Sequence, residues 1–360
     1  MLNSSSMNRR WVATGVAAVV VVGAVVAVRA ARSDGVDLPA ISADRLAASA
    51  VTALARDPDV SGDLRLHLDL GLPDVGAASL FEGSAVGFLL GDHTIRLWRS
   101  PFGARISVVE PNSEQGVYLG NDGAWAWDFG NLTATRLAPA GIRTGLFPLD
   151  LLIDEDMFRG LLHGLEPTTR VFVDGGVRVA GRDAYRLALE PRTDGTLVGR
   201  VEIDIDAEQR IPLAARVYPR GSSAAALSLE FTSVSYDDVD PAIFDFTPPD
   251  DARISDRPSG TGPLALLGIA FAGAAGAAGA AGAAEGGGLT TRSFGHDWAS
   301  VVAIRWDESL RIPDDLTRFI PFSGPLVSIR QFGTSRGVWL LVGAVPPKTL
   351  ERIGKQEFAG

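Results

Sequence analysis

His67 and Asp69 stand two residues apart, a spacing that puts both on one face of a β-strand and could begin a two-ligand metal site. A solvated strand face explains the pair better. The other histidines are His93, His163 and His296, and none of the four lies three or four residues from another, so the helical metal pair is missing. Gly333–Gly337 matches the Gly-x-Ser-x-Gly nucleophile pattern around Ser335. That pattern needs a strand, a sharp elbow and then a helix. Here a strand follows, the composition is that of a hairpin turn, and no Asp and His come after it in the expected order. Asp154, Glu155 and Asp156 could do acid–base work, but at a helix start such carboxylates complement the dipole. Asn131-Leu132-Thr133 is a glycosylation sequon by pattern only. There is no Gly-rich phosphate loop with a lysine. No constellation reads as an active site, so the expectation is a protein that is not an enzyme and needs no cofactor or metal.

Composition narrows the remaining classes. The chain has 360 residues, a net charge of −10 and 46% hydrophobic residues, enough for two domains or one large one and too apolar for global disorder. It contains no cysteine, which excludes disulfides, cysteine–zinc sites, thiol catalysis and a lipid-modified cysteine anchor. Its acidity argues against a nucleic-acid partner, which would need a basic footprint.

Two uncharged runs bear on location. Trp11 to Val28 is rich in Val and Ala, with Arg9 and Arg10 before it and Arg29 and Arg32 after it. The run reads as a transmembrane anchor with residues 1–10 in the cytoplasm. The alternative is a secretion signal cleaved around Ala30–Ala31. Either way the bulk of the chain is expected outside the cytoplasmic membrane. The second run, Leu264 to Ala284, has large apolar residues only at its start and then a Gly-Ala-Ala repeat. Each Gly costs about 1 kcal/mol of helix propensity relative to Ala. Residues 251–290 therefore read as a Gly/Ala-rich linker. A second span there would put residues 290–360 in the cytoplasm.

The segments between these runs are mostly strands. Ser42 reads as a helix N-cap, with Ile41 and Leu46 placed as a hydrophobic staple, for a helix running to about Ala55 and ended by Asp57-Pro58. Leu64, Leu66, Leu68 and Leu70 then alternate with Asp63, Arg65, His67 and Asp69. Further strands are expected at 93–98, 104–109, 117–119, 124–128, 170–173, 177–179, 185–189, 197–206, 213–218 and 227–235, with a short helix at 155–163. Residues 36–250 thus form an α+β unit, a half-open curved antiparallel barrel of about ten strands with helices across its concave face. A small α+β subdomain, 291–360, has strands at 298–306, 326–331 and 338–344 and a helix at 348–354.

Two helices cannot cover the concave face of so long a sheet, so part of it is expected to be vacant. The inward candidates are Leu66, Leu68, Leu70, Ile95, Leu97, Trp125, Trp127, Val201, Ile203, Ile205, Leu227, Leu229 and Phe231. They form either a filled core or a hydrophobic cavity for acyl chains. At about 0.8 kcal/mol per buried methylene, a sixteen-carbon chain gains roughly 12 kcal/mol gross, so such a groove needs no charged or catalytic residue to hold a lipid.

Collinear short segments add a resemblance. Asp37–Leu46, Asp69–Pro73, His93–Trp98, Trp125–Trp127, Val179–Tyr185, Tyr218–Gly221, Phe231–Val234, Phe244–Pro249, Gly324–Ser328 and Val342–Pro347 together resemble actinobacterial membrane-anchored relatives of the LolA-type lipoprotein carriers and the RseB/MucB sigma-factor regulators. The resemblance implies a half-open barrel that binds lipid or lipoprotein acyl chains without catalysis. In its regulatory variant it implies sensing of lipid or lipoprotein and binding of an anti-sigma factor or other envelope partner. This chain departs from it in lacking a lipobox cysteine and in its Gly/Ala linker.

Overall fold

A computed structural model describes residues 35–69, 71, 91–110, 113–120, 123–130, 132–137, 167–255, 290–306, 320–335 and 337–358. The anchor run 11–28, the expected helix 155–163 with its acidic cluster, Leu70 and the run 264–284 lie outside them. No helix among the described residues is long and apolar enough to cross a membrane.

The first helix forms where capping placed it. α1 (Ala43–Leu54) starts after Ser42, whose side chain accepts a hydrogen bond from the Arg45 amide, and Asp44 sits in its first turn. Leu46, Ala47, Ala50 and Leu54 form its buried stripe. The chain then lays down β1 (Val60–Leu68), β2 (Gly91–Ser100), β3 (Gly103–Glu110), β4 (Ser113–Gly120), β5 (Gly123–Asp128) and β6 (Thr133–Leu137). After these come β7 (Thr169–Val179), β8 (Arg182–Pro191), β9 (Val198–Asp206), β10 (Pro212–Pro219), β11 (Leu227–Ser235) and β12 (Arg253–Ser255). All join one unclosed sheet of order β12-β6-β5-β4-β3-β2-β1-β11-β10-β9-β8-β7.

This architecture corrects three expectations. The sheet has twelve strands rather than about ten, because the short pieces β6 and β12 carry too few alternating residues to be seen by period. It is antiparallel except at one edge, where β12 pairs in parallel with β6. The two segments expected at 170–173 and 177–179 are one strand, β7, whose register against β8 shifts between Val173 and Gly176, a bulge that Asp174-Gly175 disguise as a turn. The β7–β8 hairpin closes with Ala180 and Gly181 at φ 50° and 77°, the all-positive pair that matches strand twist and that Gly accepts without a steric cost.

The sheet curls. Cα atoms of β7 and β11 approach within 8 Å, whereas four steps of about 4.8 Å would hold them about 19 Å apart in a flat sheet. α1 lies on the apolar face, where Leu46, Ala50 and Leu54 join one core with residues of β1, β2 and β8–β11.

A second sheet follows, of order β13-β14-β17-β16-β15, made of β13 (Thr291–Phe294), β14 (Val301–Trp306), β15 (Phe322–Ser323), β16 (Ser328–Thr334) and β17 (Gly337–Gly343). α2 (Pro347–Glu357) covers one of its faces, packing Leu350 and Ile353 with Val301, Ala303, Trp339, Leu341 and Phe358. Gly354 in this helix forgoes about 1 kcal/mol of propensity. A Cβ there would lie 2.0 Å from the Phe332 ring. Gly354→Ala is therefore expected to cost about 1–3 kcal/mol through overpacking, and Phe332→Leu should restore most of it. Urea unfolding of both single variants and the double variant measures the coupling.

The second sheet is docked on the first. The Trp298 indole donates to Thr169 Oγ1 at 2.7 Å, and the Ala344 carbonyl accepts from Thr196 Oγ1 at 2.9 Å and from the Leu197 amide at 2.8 Å. Trp298, Leu326 and Ala344 are buried in the main core.

Candidate ligand-binding face

Residues directly opposite one another in a sheet share a face. Leu64, Leu66 and Leu68 of β1 stand opposite Phe231, Leu229 and Leu227 of β11, and Leu64 also stands opposite Ile95 of β2. Leu229 and Leu227 continue to Ala215 and Val217 of β10, then to Ile203 and Val201 of β9, and to Leu187 and Leu189 of β8. Leu66, Leu68, Ile95, Leu97, Val201, Ile203, Ile205, Leu227, Leu229 and Phe231 thus lie on one apolar face, as their alternation implied.

At these ten positions the expected vacancy is not found. Each side chain is 5% exposed or less, within a single core. The cover includes α1, the half-buried Leu38 and Ile41 ahead of it, and Trp298 and Leu326 of the C-terminal part. Sequence reading missed further members of this face, including Ile106, Val108, Leu187, Leu189 and Val217. The same alternation could have found them.

Trp125 and Trp127 are on the other face. Leu97 stands opposite Ile106, Ile106 opposite Val117, and Val117 opposite Ala126, so the alanines of β5 lie on the apolar face. Trp125 instead shares a row with Trp98, Arg105, Tyr118 and Arg136, and Trp127 lies on the same face between Gly116 and Ala134. Alternating Ala and Trp in β5 marked two faces without saying which was inner, and bulk suggested the wrong one. Phe246 stacks on Tyr118 with ring centroids 4.5 Å apart and lies 6.0 and 5.8 Å from Trp125 and Trp127. Arg105 caps the Trp98 and Tyr118 rings, and Arg136 caps Trp125.

The polar face over β8–β11 is an ion ladder. Fully buried Asp204 accepts from Arg186 at 2.8 and 3.0 Å and from Arg216 at 2.5 Å, and Arg216 reaches on to Glu230. Burial would lower the Arg216 guanidinium, but the Asp204 and Glu230 charges outweigh it and hold it above its ordinary value. Burial, with Glu202 beside it, pushes the Tyr218 hydroxyl up to about 12. At the end of β9, fully buried Asp206 binds Arg182, accepts from Tyr236 at 3.0 Å and caps the next turn through the Glu208 and Gln209 amides at 2.8 and 2.9 Å. Burial pushes the Tyr236 hydroxyl well up, helped by the Asp206 charge. Every one of these charges has a protein partner, so this face is a structural lattice rather than a site for a ligand.

The chemistry weighed in the sequence separates in space. His67 Nδ1 lies 2.9 Å from Asp92 Oδ1, while Asp69 accepts from the Gly71 amide, so His67 and Asp69 do not form a ligand pair. Ser335 is exposed in the turn between β16 and β17, where Thr334 Oγ1 donates to the Gly337 carbonyl at 2.8 Å. It joins two strands, not a strand and a helix. Among the described residues, no group of three or more His, Cys, Asp or Glu could hold a metal ion.

The geometry defines a class of fold, a large curved unclosed sheet with a helix on its apolar face and a second small sheet docked at one end. No family model matches the sequence, and no curated protein matches it. Similar solved structures include MucB, at 17% identity over 85% of this chain and 95% of that one, with a TM-score of 0.44. The Pseudomonas aeruginosa MucA/MucB complex gives 16% identity, coverage of 86% and 96%, and a TM-score of 0.45. A LolA superfamily protein from Nitrosomonas europaea gives 12% identity, coverage of 57% and 99%, and a TM-score of 0.26. Both groups that the sequence resembles are thus among its structural neighbours. At such scores, the reading of the site rests on this chain's own residues.

Proposed function

We propose that this protein is an extracytoplasmic, membrane-anchored binding protein that holds a lipid or lipoprotein acyl chain against the apolar face of its half-barrel, without catalysis. The observation that carries the reading is the identity of the cover. The α1 stripe on that face consists of Leu46, Ala47, Ala50 and Leu54. Its two leucines are worth about 1.5–3 kcal/mol each when buried. A sixteen-carbon acyl chain would gain roughly 12 kcal/mol gross on the same surface, enough to displace the helix's own side chains before the cost of ordering is met. The face is closed when empty and opens as α1 gives way.

The full chain, incubated with a photoactivatable palmitate and mapped by peptide mass spectrometry, tests this. Labelling is expected on α1 and on β1, β2 and β9–β11. Label confined to the ion-ladder face, or none above the dark control, would end the acyl-chain reading.

A second reading, regulation through an anti-sigma factor or other envelope partner, has its own support in the fixed docking of the C-terminal sheet through Trp298 and Ala344. Under it, the palmitate probe marks no position, and a chemical cross-linker captures a membrane protein on residues 290–358.

A further inference from the structure

Four large apolar side chains are strongly exposed among the described residues, and three share one corner. Phe129 is 56% and Leu132 37% exposed in the β5–β6 turn, and Ile254 is 62% exposed on β12. The Arg253 amide donates to the Leu132 carbonyl, and Ile254 stands beside Ala134, which is opposite Trp127. The corner therefore continues into half-buried tryptophan, the side chain suited to an interface that is apolar on one side and wet on the other. The fourth, Phe102, is 55% exposed at the opposite end of the strands, in the β2–β3 turn.

The chain's connections say what meets this corner. β12 and β7 are the two edges of the unclosed sheet. At the β7 edge the Val36 carbonyl packs on Gly176, and the uncharged run that starts at Trp11 ends at Val28, seven residues before Gly35 and at most about 25 Å of chain away. At the β12 edge, Ser255 precedes Leu264 by nine residues, at most about 30 Å, and Leu264, Leu266, Leu267, Ile269 and Phe271 follow. Each rim is thus tethered to an uncharged, apolar stretch. Charges near the corner are mixed, with Asp128, Asp250 and Asp251 against Arg136 and Arg253, and the net charge of the chain is −10. That balance suits a zwitterionic surface rather than an anionic one.

We propose that Phe129, Leu132 and Ile254 rest on a zwitterionic lipid bilayer, so that the β12 rim of the sheet lies against the membrane. This rests on the reading of residues 11–28 as an anchor.

The absence of cysteine makes the test direct. Phe129→Cys, Leu132→Cys, Ile254→Cys and, as reference, Phe102→Cys are each made in the full chain, labelled with an environment-sensitive fluorophore and reconstituted in phosphatidylcholine vesicles. Flotation reports anchoring, iodide reports water, and doxyl-labelled phosphatidylcholine reports lipid. The expected result is a blue shift, loss of iodide quenching and gain of doxyl quenching at positions 129, 132 and 254, with position 102 still quenched by iodide. If the chain floats but all four labels stay equally open to iodide, the contact is wrong and the anchor stands. If the labels are shielded from iodide without doxyl quenching, the occupant is protein, residues 264–271 or a second copy, and the proposal is overturned. A chain that does not float overturns the anchor and this proposal together.

Discussion

Asp206→Ala is expected to lower the unfolding free energy by about 1.5–3 kcal/mol, the range for losing hydrogen bonds to a buried charged group. The carboxylate is fully buried and serves Arg182, Tyr236 and two backbone amides at once, so its loss leaves Arg182 with Glu208 as its remaining carboxylate partner, a buried hydroxyl without its acceptor and an uncapped turn. Burial by itself would raise this carboxyl. The Arg182 hydrogen bond, with the Gln209 and Glu208 amides, outweighs burial and holds it below the ordinary value. A carboxyl depressed in the folded state contributes its stability above the unfolded value, about 3.9, and loses it as pH falls through the lower folded value. Urea midpoints of the parent should therefore decline on acidification through and below the ordinary carboxylate range, and those of Asp206→Ala should decline less steeply. Equal acid slopes for the two would show that Asp206 is not the group responsible.

Ile203→Asp is expected to prevent folding. Ile203 has no exposed surface and stands between Leu187 and Ala215. The change forfeits about 1.5–3 kcal/mol of apolar burial and places a polar group without a partner in the core, at about 2–7 kcal/mol. The sum rivals the 5–15 kcal/mol that holds a typical protein together. Far-ultraviolet circular dichroism and gel filtration would check it. A folded variant would mean that water or space reaches this position, which would favour an open hollow. For the same reason, charge substitutions on this face report folding rather than lipid binding, and photolabelling is the better probe of the ligand.

Much of this molecule was legible from local chemistry. Ser42 and Asp44 announced α1, and the alternation of Leu64, Leu66 and Leu68 with charged neighbours announced a half-buried strand. Ten of the thirteen candidate positions proved to share one face, because period two is a property of the backbone itself. Where both sets of an alternating strand are hydrophobic, as with Ala124 and Ala126 against Trp125 and Trp127, period two carries no sign. The inner set is then chosen by cross-strand register, here the row from Leu97 to Ala126.

Sequence by itself determined the strand-rich class, the first helix and its cap, the polarity of most strands and the absence of thiol chemistry, since each follows from side-chain type or from spacing of a few residues. Tertiary structure alone decided that the apolar face is covered and that the tryptophans look away from it. It also decided that Asp204 and Asp206 are buried among arginines, and that Phe129, Leu132 and Ile254 meet at one corner. These are contacts between residues up to more than a hundred positions apart, set by how twelve strands pair and curl, and no local pattern encodes them.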